Sequence, residues 1–251
     1  MNYSIKSLLA AGVLSAVGVA STANAALITR AGVSFDPNSG VSFAAARIYE
    51  KTVTTVGEHL VGHGVVSTIS GDGTDLWVAG DNDVELTFVF DYTVTAIDPI
   101  TGTAQFDNGI VNFYTQNTTD PGYTAFNWGD KTNSEDGDIW LNLAGHTLAG
   151  VDLNGSAHAI GPHTGGSAFG LLDVAAGSGV ANIDWDLDGV DDGNGGSADA
   201  SFFSSYDTTT AIGNPTYDLG GTASLTFQNV PEPASLVLLA FGGLFMTKRR
   251  K

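Results

Sequence analysis

The sequence predicts one all-β domain, an antiparallel β-sandwich with a jelly-roll-like strand order, between two apolar terminal segments. Three observations predict this fold. Apolar and polar residues alternate along about ten short segments, as they do in half-buried strands. Clusters of Gly, Asp, Asn and Ser separate these segments and are typical of turns. No long amphipathic helix is evident between the two ends, so the strands must supply the core.

The clearest predicted strand covers residues 84–96, where Val84, Leu86 and Phe88 begin a row of alternate apolar residues that continues to the end of the segment. This period of two over the whole segment fits a strand and does not fit a helix. The other predicted strands are 41–49, 59–70, 76–79, 105–115, 139–143, 147–153, 200–206 and 222–228. Residues 155–179, rich in Gly and Ala, predict a long loop that contains one short strand.

The N-terminal segment, residues 1–25, has the parts of a Sec signal peptide. Lys6 provides the positive charge, and residues 7–20 are apolar and predict a helix. Ala23 and Ala25 form an A-x-A cleavage site. We therefore expect the Sec machinery to recognise the chain and a signal peptidase to cut after Ala25. The predicted β domain then covers residues 26–229.

The C-terminal segment, residues 230–251, contains a proline pair, a short apolar stretch and a basic end. Pro231 and Pro233 flank Glu232 and favour an extended backbone, residues 234–247 are predominantly apolar, and the last four residues are Lys or Arg. The apolar stretch is shorter than the roughly 17–25 residues that a membrane-spanning helix needs. The basic end is expected to stay on the cytoplasmic side.

This order of Pro231-Glu232-Pro233, hydrophobic helix and basic end resembles the sorting tail of bacterial PEP-CTERM proteins. The resemblance implies processing by an exosortase, a membrane-embedded cysteine protease, after transient anchoring in the inner membrane of a Gram-negative bacterium. It also implies a final place at the cell surface or in the extracellular matrix, with a role in exopolysaccharide association, biofilm or floc formation. Residues 62–69, 86–97 and 109–114 loosely resemble strands of flocculation-associated PEP-CTERM proteins.

The charge and the cysteine content exclude several classes of function. Residues 26–229 hold 26 acidic residues and only four basic ones, Arg30, Arg47, Lys51 and Lys131, which gives a formal charge of −22. Such a surface repels nucleic acid and acidic polymers, so we expect no nucleic-acid partner. The chain has no cysteine, which excludes disulfides and a thiolate nucleophile. No G-x-S-x-G elbow is present, and we expect a protein that is not an enzyme.

An acidic segment, residues 184–192, has the pattern D-x-D-x-D-G-x-x-D and resembles the calcium loops of EF-hand-like and thrombospondin type 3 repeats. Carboxylates at alternate positions can converge on one Ca²⁺ ion while a glycine allows the turn. The resemblance implies side-chain ligands from four aspartates and a carbonyl ligand from a valine: Asp184, Asp186, Asp188, Asp192 and Val190. Gly195 stands where an EF-hand has its bidentate Glu. The alternative is a solvated acidic loop without an ion.

Two tryptophans suggest a second interpretation of the domain. Trp140 lies in the predicted strand 139–143, and it faces outward if Ile139 faces the core. Trp185 lies within the acidic segment. An exposed indole ring is a suitable surface for stacking on a sugar ring, which predicts a calcium-dependent, lectin-like carbohydrate-binding module. The alternative for both tryptophans is burial, in a second layer or under a loop.

Overall fold

The computed structural model describes residues 27–156, 165–177, 179–208 and 216–228. The predicted signal peptide and C-terminal segment, with their terminal helices, lie outside these residues.

The described chain consists almost entirely of strands. The strands are β1 (Ile28–Arg30), β2 (Val33–Phe35), β3 (Val41–Glu50), β4 (His59–Gly71), β5 (Thr74–Val78), β6 (Val84–Asp98), β7 (Thr103–Asn117), β8 (Asp138–Gly145), β9 (Leu153–Ser156), β10 (Gly165–Val174), β11 (Val190–Asp191), β12 (Ser197–Ala198), β13 (Ala200–Asp207) and β14 (Leu219–Phe227). One α-helical turn, α1 (Asn182–Trp185), and two 3-10 turns, Asp81–Asp83 and Lys131–Ser134, complete the structure. None of the helical turns among the described residues has the length and apolar character of a membrane span.

Eight strands form one antiparallel sheet that closes on itself, here called the closed sheet. Its order is β13-β14-β3-β4-β6-β7-β8-β10, and β10 pairs with β13 to complete the circuit. β9 pairs with both β7 and β10, beyond the end of β8. β5 pairs with the C-terminal part of β4, from Thr68 to Gly71. β1 with β2 and β11 with β12 form two small separate hairpins. The prediction of an antiparallel all-β fold is confirmed.

The strand order differs from the predicted jelly roll. From β3 to β8 each strand of the closed sheet pairs with the next one along the chain, which is a meander. Short connections favour this order because a strand that ends in a tight turn meets its own neighbour first. A jelly roll has crossing connections between its strands. Here sequential strands pair with one another, and the pairing of β10 with β13 closes the sheet.

The core lies inside the closed sheet, where side chains from opposite walls meet. β3 and β7 are separated by two other strands in the sheet, yet the rings of Phe43 and Phe113 lie 5.8 Å apart in an edge-to-face arrangement. Within the same wall, Phe43 also contacts Phe227 on the adjacent strand β14, with ring centroids 5.5 Å apart. Contact between two facing layers of one antiparallel structure is the packing expected of the predicted sandwich.

Most predicted strands are confirmed within a few residues, but one predicted strand is largely absent and one is longer than expected. In the predicted strand 147–153, residues 147–152 make only an isolated bridge between Leu148 and Val151, and Leu153 begins strand β9. Residues 165–174 form the ten-residue strand β10, where one short strand within a long loop was predicted. The small residues of this segment fit the sheet because Gly170 lies against the backbone oxygen of Asp152, where a side chain would clash.

Candidate functional site

The acidic segment begins in α1, where Asp184 is held by an arginine from β1. Both carboxylate oxygens of Asp184 accept hydrogen bonds from the Arg30 guanidinium. Nε donates to one oxygen at 2.8 Å, and Nη2 donates to the other at 3.0 Å. This bidentate geometry is the strongest form of an arginine–carboxylate pair. Asp184 therefore connects the segment to the first hairpin, and its oxygens are occupied by a cation that belongs to the chain.

The middle of the acidic segment is held by a buried aspartate that the sequence did not single out. Asp199 is 2% exposed, and its carboxylate accepts backbone N–H bonds from Val174 at 2.7 Å, Leu187 at 2.6 Å and Asp188 at 2.7 Å. Asp188 has a positive φ of 49°, a conformation that few non-glycine residues adopt. Asp199 thus fixes the backbone of the segment, while the side chain of Asp188 lies on the surface.

The end of the acidic segment is a hydrogen-bonded turn around Asp192. One carboxylate oxygen accepts backbone N–H bonds from Asn194 at 2.7 Å and Gly196 at 2.9 Å, and these bonds lower the pKa of Asp192. The other oxygen lies 3.4 Å from Nε2 of His146, whose Nδ1 lies 2.9 Å from Asp173. Desolvation lowers the pKa of His146, but the two carboxylates outweigh it and raise that pKa above its ordinary value.

These contacts do not bring the predicted calcium ligands together. Asp186 is exposed, and Val190 is buried in β11, where it pairs with Ala198. Across the described ranges, no group of three or more His, Cys, Asp or Glu side chains has the arrangement of a metal site. The carboxylates at positions 184, 192 and 199 act instead as acceptors for an arginine and for backbone N–H groups. The arrangement does not fit Ca²⁺ as it stands, and calcium binding by the segment stays a prediction.

Trp140 is buried, so the outward orientation that depended on Ile139 facing the core is not observed. Its side chain is 0% exposed, its indole nitrogen donates to the carbonyl of Arg30 at 3.0 Å, and its ring lies edge-on to Phe35 at 5.7 Å. The reason is a bulge in the pairing of β7 with β8, where the register shifts next to Trp140. A bulge breaks the alternation of faces, so Trp140 and Leu141 both point inward.

Trp185 is also buried, at 0% exposure. α1 turns its ring into the core, where the centroids of Phe227 and Phe35 lie 4.4 Å and 4.6 Å away. The acidic residues around it therefore lie outside while the indole anchors the segment. Neither Trp140 nor Trp185 offers a surface for a sugar ring, and the alternative of burial is correct for both.

The remaining predicted site residues lie outside the described ranges: Ala23 and Ala25 of the cleavage site, and Pro231, Glu232 and Pro233 of the tail. The tail is nevertheless identified by comparison, because residues 229–251 match the PEP-CTERM protein-sorting motif. The chain carries a PEP-CTERM sorting motif. This PEP-CTERM protein is therefore exported, transiently anchored by its C-terminal tail and processed by exosortase.

The sorting motif accounts for the end of the chain and leaves the closed sheet without a counterpart. Comparison with curated proteins and with solved structures finds no match. The loose likeness of residues 62–69, 86–97 and 109–114 to flocculation-associated proteins is not shown by the comparisons. The surface of the β domain is therefore the source of evidence for the function of that domain.

Proposed function

We propose that this PEP-CTERM protein is a non-enzymatic component of the cell surface or extracellular matrix that associates with exopolysaccharide and takes part in biofilm or floc formation. The observation that carries the proposal is the sorting motif at residues 229–251, because the tail delivers the β domain beyond the inner membrane. We expect the N-terminal Sec signal peptide, with its cleavage after Ala25, to start the same route.

The charge of the β domain supports association with uncharged rather than acidic polymers. A formal charge of −22 over residues 26–229 creates a repulsive potential toward polyuronates, nucleic acid and anionic lipid. An uncharged polysaccharide meets no such barrier. A net charge of this size also keeps a secreted protein soluble at high local concentration.

The test follows the full chain in the bacterium that produces it. We expect the wild-type protein in the polysaccharide fraction of the matrix, shortened at its C-terminus. The double change Pro231→Ala and Glu232→Ala should leave an uncut species in the membrane fraction, since the extended recognition segment is lost. The matched control is Pro121→Ala, in an exposed turn outside the tail.

Two results would contradict the proposal. One is wild-type protein that is processed but released into the medium and recovered entirely free of polysaccharide. The other is the sorting variant reaching the matrix in the same amount as wild type. Mass spectrometry of the mature C-terminus distinguishes a failure of processing from a failure of association.

A further inference from the structure

The outer face of four adjacent strands carries an exposed pair of phenylalanines. Phe169 on β10 and Phe203 on β13 are direct cross-strand partners, and their side chains are 52% and 49% exposed. Their neighbours along each strand, Ala168 and Phe202, point into the core. Two large apolar rings held side by side on the surface of a strongly acidic protein need a physical explanation.

The phenylalanines belong to a row that crosses the four strands. Asn154 on β9 pairs with Phe169, and Ser224 on β14 pairs with Phe203, so the row runs Asn154, Phe169, Phe203, Ser224. Adjacent strands lie about 4.8 Å apart, so the row spans about 14 Å. It places an amide and a hydroxyl at the ends of an aromatic surface.

A second row, made of hydroxyl groups, runs beside the first. Ser156 and Ser167 are cross-strand partners with their hydroxyl oxygens 3.2 Å apart, and Ser205 and Thr222 repeat the arrangement with the same distance. Each hydroxyl can both donate and accept a hydrogen bond. None of the side chains in either row is charged, although the chain as a whole has a formal charge of −18.

Two clefts flank the Asn154 and Phe169 end of the rows, and we call the two rows together with these clefts the groove. One, of about 680 Å³, lies between the ends of β6 and β7 and the strands β9 and β10, and the other, of about 390 Å³, lies against the end of the acidic segment. Asn154 and Phe169 line both clefts, so they stand at the junction. Asp98 lines the larger cleft, and His146, Asp191 and Asp192 line the smaller one. Asp152 also lines the smaller cleft, but it is 5% exposed and its carboxylate accepts hydrogen bonds from the backbone N–H of Gly109 and the hydroxyl of Thr147.

A second copy of the chain fits this face poorly. The exposed parts of the two phenylalanine rings amount to roughly 200 Å², whereas a stable interface buries about 800 Å² on each partner. The surrounding side chains are serine, threonine and asparagine, which need hydrogen-bonding partners, and the acidic chain repels its own copies. The face is better suited to a narrow ligand that carries apolar C–H surfaces and many hydroxyls.

We propose that this groove binds an uncharged polysaccharide chain, with sugar rings stacked on Phe169 and Phe203 and sugar hydroxyls bonded to the hydroxyl row and Asn154. The inference rests on the proposed function, which it refines by giving the ligand class and the binding residues. Ligand sites commonly combine an apolar surface with a few polar groups that fix orientation. The outer face supplies both, and it replaces the buried tryptophans as the sugar-binding surface.

The test is affinity electrophoresis of the full chain, in mild detergent, through gels containing hydroxyethyl cellulose, dextran or galactomannan. We expect retardation by at least one of these uncharged polymers and none by alginate, an acidic polymer. The double change Phe169→Ala and Phe203→Ala should weaken binding at least tenfold. Ile183→Ala is the matched control, because Ile183 is an apolar residue outside the groove that is 84% exposed, and it should bind as wild type does.

A second variant keeps the test decisive if alanine disturbs the fold. Phe169→Leu with Phe203→Leu keeps apolar surface but removes the aromatic rings, so binding should still fall while the melting temperature changes little. Wild-type affinity in a folded leucine variant, or no retardation by any uncharged polymer, would overturn the inference. Matrix association in cells by the leucine variant would overturn it too, and would leave the proposed function standing. Sedimentation velocity that shows a wild-type dimer lost in the variants would assign the face to a second copy instead.

Discussion

Glu50 is a carboxyl group inside the closed sheet. It is 3% exposed, it pairs with Gly62 across β3 and β4, and its Oε1 has no hydrogen-bond partner among the described residues. Burial raises the pKa of Glu50 to about 8, because the charged form is poorly solvated there. The folded protein therefore holds Glu50 in its neutral form near pH 7.

The titration of Glu50 predicts a loss of stability as the pH rises. Unfolded Glu50 releases its proton near pH 4.5 and folded Glu50 near pH 8, so rising pH favours the unfolded chain across that window. Glu50→Gln should match wild type near pH 4.5 and exceed its free energy of unfolding at pH 9 by up to about 4 kcal/mol. Urea denaturation at both pH values measures this. Asp72→Asn, on the surface, is the control, and an equal gain for both variants would contradict the assignment.

Asp199 predicts a second effect at a single residue. Asp199→Ala leaves three backbone N–H groups of residues 174, 187 and 188 without their acceptor. A fully buried unsatisfied donor costs about 1–3 kcal/mol. Because these three hydrogen bonds are only part-buried and water can replace some of the lost acceptor, the free energy of unfolding should fall by about 2–4 kcal/mol in total. Asp186→Ala, an exposed aspartate of the same segment, should change it by less than about 0.5 kcal/mol. Chemical denaturation measures the free energy of unfolding of both variants. Similar losses would show that the hydrogen bonds accepted by Asp199 do not stabilise the segment more than an exposed aspartate does.

At the scale of strands, alternation predicted most of the closed sheet and failed where local geometry departs from it. β6 and β7 follow from the period of two because one face of each points into the core, although Thr87 and Val89 on the other face of β6 are also buried. The bulge beside Trp140 is set by pairing with β7, which a single segment cannot reveal. β10 was predicted only as one short strand within a loop, because its glycines hide an alternation in which Ser167 and Phe169 face outward.

The candidate sites show the same limit. The tail was predicted from its own residues, because a linear signal needs no tertiary partner. The acidic segment was recognised as a pattern, but its geometry depends on Arg30 and Asp199, which come from other elements of the chain. The surface around Phe169 and Phe203 could not be predicted because two strands distant in the sequence create it.

The pairing of β3 with β4 depends on a glycine at the inner face. A side chain at Gly62 would collide with the ring of Phe90 and approach the backbone oxygen of Tyr49 to 2.6 Å. Gly62→Ala should therefore lower the free energy of unfolding by about 1–3 kcal/mol through overpacking. Gly122→Ala is the control, because nothing lies within 4 Å of its added carbon. Thermal melting compares the two variants. An unchanged melting temperature for Gly62→Ala would show that Phe90 and the β3–β4 pairing adjust to the added methyl group without loss of stability.

At the scale of the whole molecule, the formal charge of −18 opposes folding through self-repulsion. Salt screens this repulsion, since the Debye length falls from about 30 Å at 0.01 M to about 3 Å at 1 M. The melting temperature of the full chain should rise by several degrees over this range of NaCl. Asp120→Lys with Asp186→Lys, at two exposed positions, should reduce the rise. An equal response in both proteins would mean that the salt acts on something other than net charge.

The pairing of β10 with β13 leaves none of the eight strands of the closed sheet with an open edge. An open edge is where a foreign strand adds on and where aggregation begins. Extracellular proteases also need an extended segment to bind, and these eight strands release one only when the circuit breaks. A chain without cysteines can thus persist outside the cell by topology, in a compartment where other small proteins rely on covalent cross-links.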